Sequence, residues 1–350
     1  MIKVMSEYNS DYKQLEEYIE SKLIGSNLTA QVYKEDQLAQ SLNSDEGFLN
    51  VCRKMDNIPS DYMKEMVDNV QGVMTLPTIY DDRLSYSIAS HLMSKVELVA
   101  KIFPFDHQNY GGFCCAPTGK VSALAAPVKC SDGKSKVFII FESGIFQFVH
   151  GVISLFVSSY PRTLLQGENE KEWRAEWERY VNDDQNRTEL LQSKTDLNEW
   201  RNFFKDYNVR GQLAYTSLMN FGPAGQKLIL DMVLGCEIFI AAHEYSHAMM
   251  NHQRQDLVAS EVEKEADMWG VRIASIICRG EGVTLAFMIA GIAIFFSAIE
   301  TTVPSHYLPA AERISFVIKS LEINDSTQEK MLLDIASLMQ DVFCDIVNMK

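Results

Sequence analysis

Positive charge is scarce in this sequence. The 350 residues include 32 lysines and arginines against 47 acidic residues, so the formal net charge is −15. No run of lysine and arginine interrupts the acidic background. Nucleic acids and anionic membranes are bound mainly through clustered positive charge, and the sequence therefore argues against both as partners.

Residues Met1 to Glu20 mix lysine, acidic residues and tyrosine and have no apolar core segment, so we expect them not to be a signal peptide. One uncharged stretch, Val283 to Ile299, reaches the short limit of a membrane span. The acidic residues Glu281 and Glu300 bracket it, and no positive flank follows. These flanks favour a buried core helix over a membrane span.

The sequence contains seven cysteines, an odd number, and their spacing is not that of a metal site or a disulfide framework. Cys114 and Cys115 are adjacent. We expect reduced thiols and a cytoplasmic protein, with metal binding by the adjacent pair as the alternative.

What the sequence does contain is an HExxH motif, His243-Glu244-Tyr245-Ser246-His247, after an apolar run that begins at Leu234. On a helix the two histidines share one face and can reach one metal ion. Zinc held in this way needs a third protein ligand and leaves a position for water, for which Glu244 is the natural base. The alternative is a chance match. Burying three such groups on an apolar helix costs free energy unless a metal or hydrogen bonds satisfy them, which favours a metal site.

A second polar-to-apolar helix is predicted from Ser260 onward. Glu263 and Asp267 are four residues apart and share a face. We predict Glu263 as the third zinc ligand and Asp267 as the acceptor for the N–H of a ligand histidine. Glu261 and Glu265 flank Glu263 and are alternative ligands. Ser260 and Glu263 also fit a capping box, so an ordinary helix start explains the acidic residues as well.

These motifs resemble the gluzincin metallopeptidases, in which HExxH is followed one helix later by Glu-x-x-x-Asp. The branch of prenyl proteases and heat-shock membrane proteases is similar in its Glu-x-x-Ala-Asp motif, here Glu263 to Asp267. That branch also carries a His-Pro-rich segment ending in Arg-Ile, which Ser305 to Ile314 resembles with one extra residue and no proline directly after His306.

The Lit-type phage-exclusion peptidases are a second family that the sequence resembles. Either resemblance covers residues 225 to 320 or so and implies a zincin-like domain that uses zinc to hydrolyse peptide bonds of a protein or peptide substrate. The Lit-type resemblance further implies a role in defence against phage.

Stabilisation of the negative charge that develops on the substrate carbonyl requires a further donor. A donor about 3 Å from that oxygen contributes on the order of 3 kcal/mol. The candidates are His306, Tyr307 and Arg313, and the resemblance favours His306 as a catalytic residue. The alternative is a loop in which Arg313 pairs with Glu312 or another acidic residue on the surface.

The predicted fold is α+β and mostly α, with a small sheet. A helical N-terminal region spans residues 1–105, and a zincin-like domain spans 106–350. Runs at Val121 to Lys129 and Lys136 to Phe141 flank an Asp-Gly turn and predict a hairpin. The segment from Pro104 to Gly112 is predicted to be a loop, and Ile145 to Ser158 an apolar helix.

Residues 164–207 form a charged helical insertion around Trp173 and Trp177. It is predicted to be a solvated helical pair or, alternatively, a docking surface for a protein partner.

The competing function is a zinc-containing regulatory or binding module without turnover, and a hydrolase of substrates other than peptides is a third possible function. A structural zinc site would need a fourth protein ligand. His252 falls off the helical face of His247, so none is evident and an open site is favoured.

Overall fold

The computed structural model describes most of the chain outside three longer gaps. The described residues are 2–25, 76–81, 83–158, 200, 202–204, 223–250, 252, 258–302, 308–323 and 325–348. Within them the protein is mostly helical with one small three-stranded sheet, which confirms the predicted fold class at that level.

Two α-helices come first among the described elements, three strands follow, and the remaining elements are helical. They are α1 (Ile2–Tyr18), α2 (Arg83–Ala100), β1 (Tyr110–Ala116), β2 (Ala123–Lys129), β3 (Ser135–Glu142), α3 (Gly144–Ser158), α4 (Pro223–Met249), α5 (Ala259–Gly280), α6 (Leu285–Thr302), α7 (Ala310–Ser320) and α8 (Ser326–Asn348). A π-helical turn, Ile19–Ile24, extends α1, and a short 3-10 helix, His107–Asn109, precedes β1.

The chain divides into two compact units. The first comprises residues 1–146, 210–212 and 240–258, and the second comprises residues 147–209, 213–239 and 259–350. The division falls inside α3 and α4.

The sheet of the first unit has the strand order β1-β3-β2. β2 and β3 are antiparallel, as the hairpin prediction required. Their turn closes where the N–H of Cys130 donates to the carbonyl of Lys134 at 2.7 Å, and Gly133 adopts a φ of 81° there. Such a positive φ favours glycine, so the Asp-Gly signal identified this turn correctly.

β1 was not predicted, and the loop assigned to Pro104–Gly112 is wrong for its last three residues. β1 pairs in parallel with β3, with a register irregularity between Tyr110 and Gly112. A Cβ at Gly111 would lie 2.5 Å from the Phe138 ring. Gly112 has a φ of 121°, which disfavours other residues. Glycine weakens the usual sequence signal of a strand, although both glycines are needed here for close packing and backbone conformation.

The N-terminal helix packs on this sheet. Leu15 and Ile19 belong to one buried core cluster with Phe138 and Ile140 of β3. Tyr12 adds an edge-to-face contact with Phe138 at 5.6 Å between ring centroids. The hydrophobic spacing of α1 therefore reflects burial against β3, and residues before and after position 105 share one core.

In the second unit α6 is a buried core helix, as its acidic flanks predicted. Ile289, Ile292 and Ala293 are fully buried. A Cβ added at Gly235 of α4 would lie 2.8 Å from Cα of Met288, and one added at Gly291 of α6 would meet the carbonyl of Met232. Small residues thus allow α4 and α6 to approach backbone to backbone.

No helix within the described part of the chain has both the length and the apolar character needed to cross a membrane.

Candidate metal centre

The HExxH residues lie in the last two turns of α4, within a strongly apolar stretch. Ala241, Ala242 and Ala248 are buried, so the helix carries the motif into the protein core. Ser246 is also buried, and its hydroxyl donates to the carbonyl of Ala242 at 2.7 Å. The polar side chain that does not face a metal is therefore satisfied by its own helix.

The two motif histidines point their Nε2 atoms at each other. These atoms are 3.0 Å apart, and the rings meet edge to face with centroids 4.6 Å apart. Only 7% of His243 and 8% of His247 is exposed. Two nitrogens bound to one zinc at about 2.0–2.1 Å with tetrahedral angles would be roughly 3.3 Å apart. The observed spacing is close to that value, so the pair fits a shared metal ion.

Glu263 supplies an oxygen to the same group. Among the residues that the structure describes, His243, His247 and Glu263 form the one set of three or more His, Cys, Asp or Glu side chains placed to hold a metal ion. Their ligand atoms all lie within 4.8 Å of one another. Two imidazoles and a carboxylate are a donor set typical of catalytic zinc. Glu261 and Glu265, the alternative ligands, are not in the set.

Glu244 differs from its two sequence neighbours in its contact with solvent. Its side chain is partly exposed, whereas His243 and Tyr245 are buried. A general base must reach the proton that it removes, and a partly exposed carboxylate can meet a water molecule.

Asp267 is held by Arg313 of α7. Nε of Arg313 donates to Oδ2 of Asp267 at 2.9 Å, and one Nη donates to Oδ1 at 2.7 Å. The same Nη lies 3.8 Å from Oε2 of Glu263, and the guanidinium sits 4.0 Å above the ring of Phe296. Asp267 is 1% exposed, so the two-point ion pair neutralises a buried charge.

The alternative pairing of Arg313 with Glu312 is not what the structure has, since Glu312 lies 3.4 Å from Lys264 instead. The sequence analysis did not anticipate Arg313 as the partner of Asp267. A signal was present, because an acidic residue on the buried face of a helix needs a cation or several donors. The role predicted for Asp267 toward a ligand histidine stays a prediction.

His252 lies beside His247 despite its place in the sequence. Its Nδ1 is 2.9 Å from Nδ1 of His247, and it is buried. α4 ends at Met249, so the chain no longer follows the helix at position 252. The sequence analysis placed His252 away from the helical face of His247 because it assumed that the helix continues to residue 252. The helix ends before that residue, so the assumption does not apply. His252 contacts His247 at Nδ1 and not at the Nε2 that faces His243, and it is not in the set of three residues that could hold a metal ion.

The opposite face of the motif is fixed through Tyr245, which the sequence analysis did not consider. Its hydroxyl lies 2.9 Å from Nδ1 of His107, and its ring packs edge to face with Tyr110 at 5.1 Å. Burial, with a smaller effect of Glu97, raises the pKa of Tyr245, so the phenol is neutral at physiological pH. These contacts join the HExxH helix to the segment that leads into β1.

Four residues singled out in the sequence, His306, Tyr307, Trp173 and Trp177, lie outside the described residues. Comparison with known protein families, with curated proteins and with solved structures finds no match. The likeness to the gluzincins therefore rests on the short motifs themselves.

Proposed function

We propose that this protein is a zinc-dependent peptidase with His243, His247 and Glu263 as metal ligands. The observation that carries the proposal is the convergence of the two buried Nε2 atoms at 3.0 Å. Two imidazoles that face each other in this way can share one cation through the lone pairs of their Nε2 atoms. The same proposal includes a zincin-like fold for the catalytic domain and a relationship to the gluzincin metallopeptidases.

Zinc, when bound, supplies a Lewis acid that polarises a water molecule or a substrate carbonyl. Glu244 removes a proton from the attacking water and delivers it to the leaving amine. His243 and His247 would hold the zinc through the lone pairs of their Nε2 atoms. Arg313 holds Asp267 and lies near Glu263, so the two carboxylates of α5 share one compensating cation. His306 is retained as the proposed donor to the developing oxyanion.

The donor set also bears on whether the site is open or closed. Structural zinc sites are closed by four protein ligands, whereas catalytic sites use three and leave a position for reactants. The set in the described residues has three members. This number supports turnover over a regulatory module that uses zinc only for structure.

We further propose that the protein acts inside the cell on protein or peptide substrates. Five of its cysteines, Cys114, Cys115, Cys130, Cys236 and Cys278, are buried thiols, which suits a reducing compartment. The choice of peptides over other hydrolysable substrates rests on the resemblance of the HExxH and Glu-x-x-Ala-Asp motifs.

Replacing the proposed base tests the reaction directly. Glu244→Gln removes the proton acceptor but leaves both histidines in place, so we expect zinc content near wild type and at least a hundredfold loss of turnover. The assay is cleavage of a quenched-fluorescent peptide library, with His243→Ala as the variant that should lose both zinc and activity. Undiminished cleavage by Glu244→Gln would remove Glu244 from the mechanism. Wild-type protein that carries zinc but cleaves no peptide would favour the competing functions.

A further inference from the structure

Both ring nitrogens of His247 have a histidine neighbour. Its Nε2 lies 3.0 Å from Nε2 of His243, and its Nδ1 lies 2.9 Å from Nδ1 of His252. We propose that His252 is a positioning residue: its Nδ1 accepts the N–H of His247 and thereby fixes the tautomer and orientation of that ring. This inference rests on the proposed metal site.

The direction of the hydrogen bond follows from the number of protons available. A neutral imidazole carries one N–H and one lone pair in the ring plane. If His247 offers its Nε2 lone pair to a metal, its proton is on Nδ1. Nδ1 of His252 must then act as the acceptor, and the proton of His252 is on its own Nε2. One bond therefore determines the tautomers of two rings.

Because both rings are buried, the N–H of His247 depends on an acceptor from the protein. His247 is 8% exposed and His252 is 6% exposed, so solvent has little access to replace either group. A buried N–H that loses its acceptor retains the full cost of its desolvation. The rings also meet at 77° with centroids 5.0 Å apart, so His252 limits rotation of His247 by contact as well as by hydrogen bonding.

The chemistry of the acceptor distinguishes this arrangement from the usual one. Metal-ligating histidines mostly donate to a carboxylate, a backbone carbonyl or water. Asp267 accepts from Arg313 with both of its carboxylate oxygens. His252 is a neutral acceptor, and it orients the ligand ring without adding the negative charge that a carboxylate would bring.

Zinc affinity of the full-length protein, measured by competition with a chelating dye of known affinity, tests the proposal. His252→Phe keeps a planar ring but removes the acceptor, and we expect the Kd for zinc to rise about 10- to 100-fold. His252→Asn places an amide oxygen where Nδ1 was, so it should recover most of the affinity. A Kd for His252→Phe within twofold of wild type overturns the proposal. An absence of zinc binding by the wild type overturns the proposed metal site itself.

A second measurement on zinc-loaded wild-type protein needs no variant to fold. Nitrogen-15 NMR of the imidazoles distinguishes protonated from unprotonated ring nitrogens. We expect the proton of His247 on Nδ1 and that of His252 on Nε2. A proton on Nδ1 of His252 would show that it is not the acceptor, whatever the effect of His252→Phe on zinc affinity.

Discussion

Arg313 compensates the buried charge of Asp267. Arg313→Met keeps most of the length of the side chain but leaves the carboxylate of Asp267, which is 1% exposed, without its two donors. Removing one partner of a buried ion pair costs about 3–5 kcal/mol, because the remaining charge stays desolvated. Urea unfolding measures the loss.

The matched control is the neighbouring pair of Lys264 and Glu312. Their side chains are 38% and 52% exposed and 3.4 Å apart. Lys264→Met should therefore reduce the free energy of unfolding by less than about 1 kcal/mol. Equal losses in Arg313→Met and Lys264→Met would contradict the claim that the Asp267 pair is structurally important.

Glu237 provides a prediction about pH. Burial raises the pKa of this carboxyl to about 8, from an ordinary value of 4.5. Between these two values the folded state binds the proton and the unfolded state does not. The free energy of unfolding therefore does not suffer from Glu237 below pH 4.5, where the carboxyl is protonated in both states. As pH rises from 4.5 to about 8, the free energy of unfolding falls by at most about 1.4 kcal/mol per pH unit.

Glu237→Gln removes that titration and keeps the side-chain shape. We expect the variant to gain stability relative to wild type as pH rises from 5 to 8, measured by urea unfolding of both proteins at each pH. A difference in stability that is constant over this range would mean that Glu237 is not buried as a neutral acid.

At the scale of elements, the close approach of α4 and α6 depends on glycine. Gly291→Ala would place a methyl group against the carbonyl of Met232, and overpacking of a core commonly costs 1–3 kcal/mol. At Gly280, at the end of α5, an added Cβ meets nothing within 4 Å. Gly280→Ala should therefore leave the unfolding midpoint unchanged or raise it, whereas Gly291→Ala lowers it. The reverse order would show that the two helices are not packed at Gly291.

Elements with local signals were predictable from the sequence. The β2-β3 hairpin has the Asp132-Gly133 turn, α3 has a continuous apolar run, and the HExxH histidines share a face by helical spacing alone. β1 was missed because its pairing with β3 is not local and two glycines mask it.

At the scale of the whole molecule, the side chains that surround the metal-binding set were less predictable than the set itself. The pairing of Arg313 with Asp267 joins residues 46 apart in sequence, so it depends on how α7 packs against α5. His252 reaches His247 because α4 ends two residues after the motif, and helix ends are poorly defined by periodicity. Spacing along a helix predicts candidate ligands, whereas the residues that support them depend on tertiary packing.

The measurement that tests the central claim most directly is the zinc content of the purified protein, by mass spectrometry after expression with sufficient zinc. We predict about one zinc per chain in the wild type and in Glu265→Gln. Zinc should be absent from His243→Ala with His247→Ala and strongly reduced in Glu263→Gln. Wild-type protein without zinc, or a double histidine variant that keeps it, would contradict the account. Loss of zinc from Glu265→Gln with retention by Glu263→Gln would contradict the choice of third ligand.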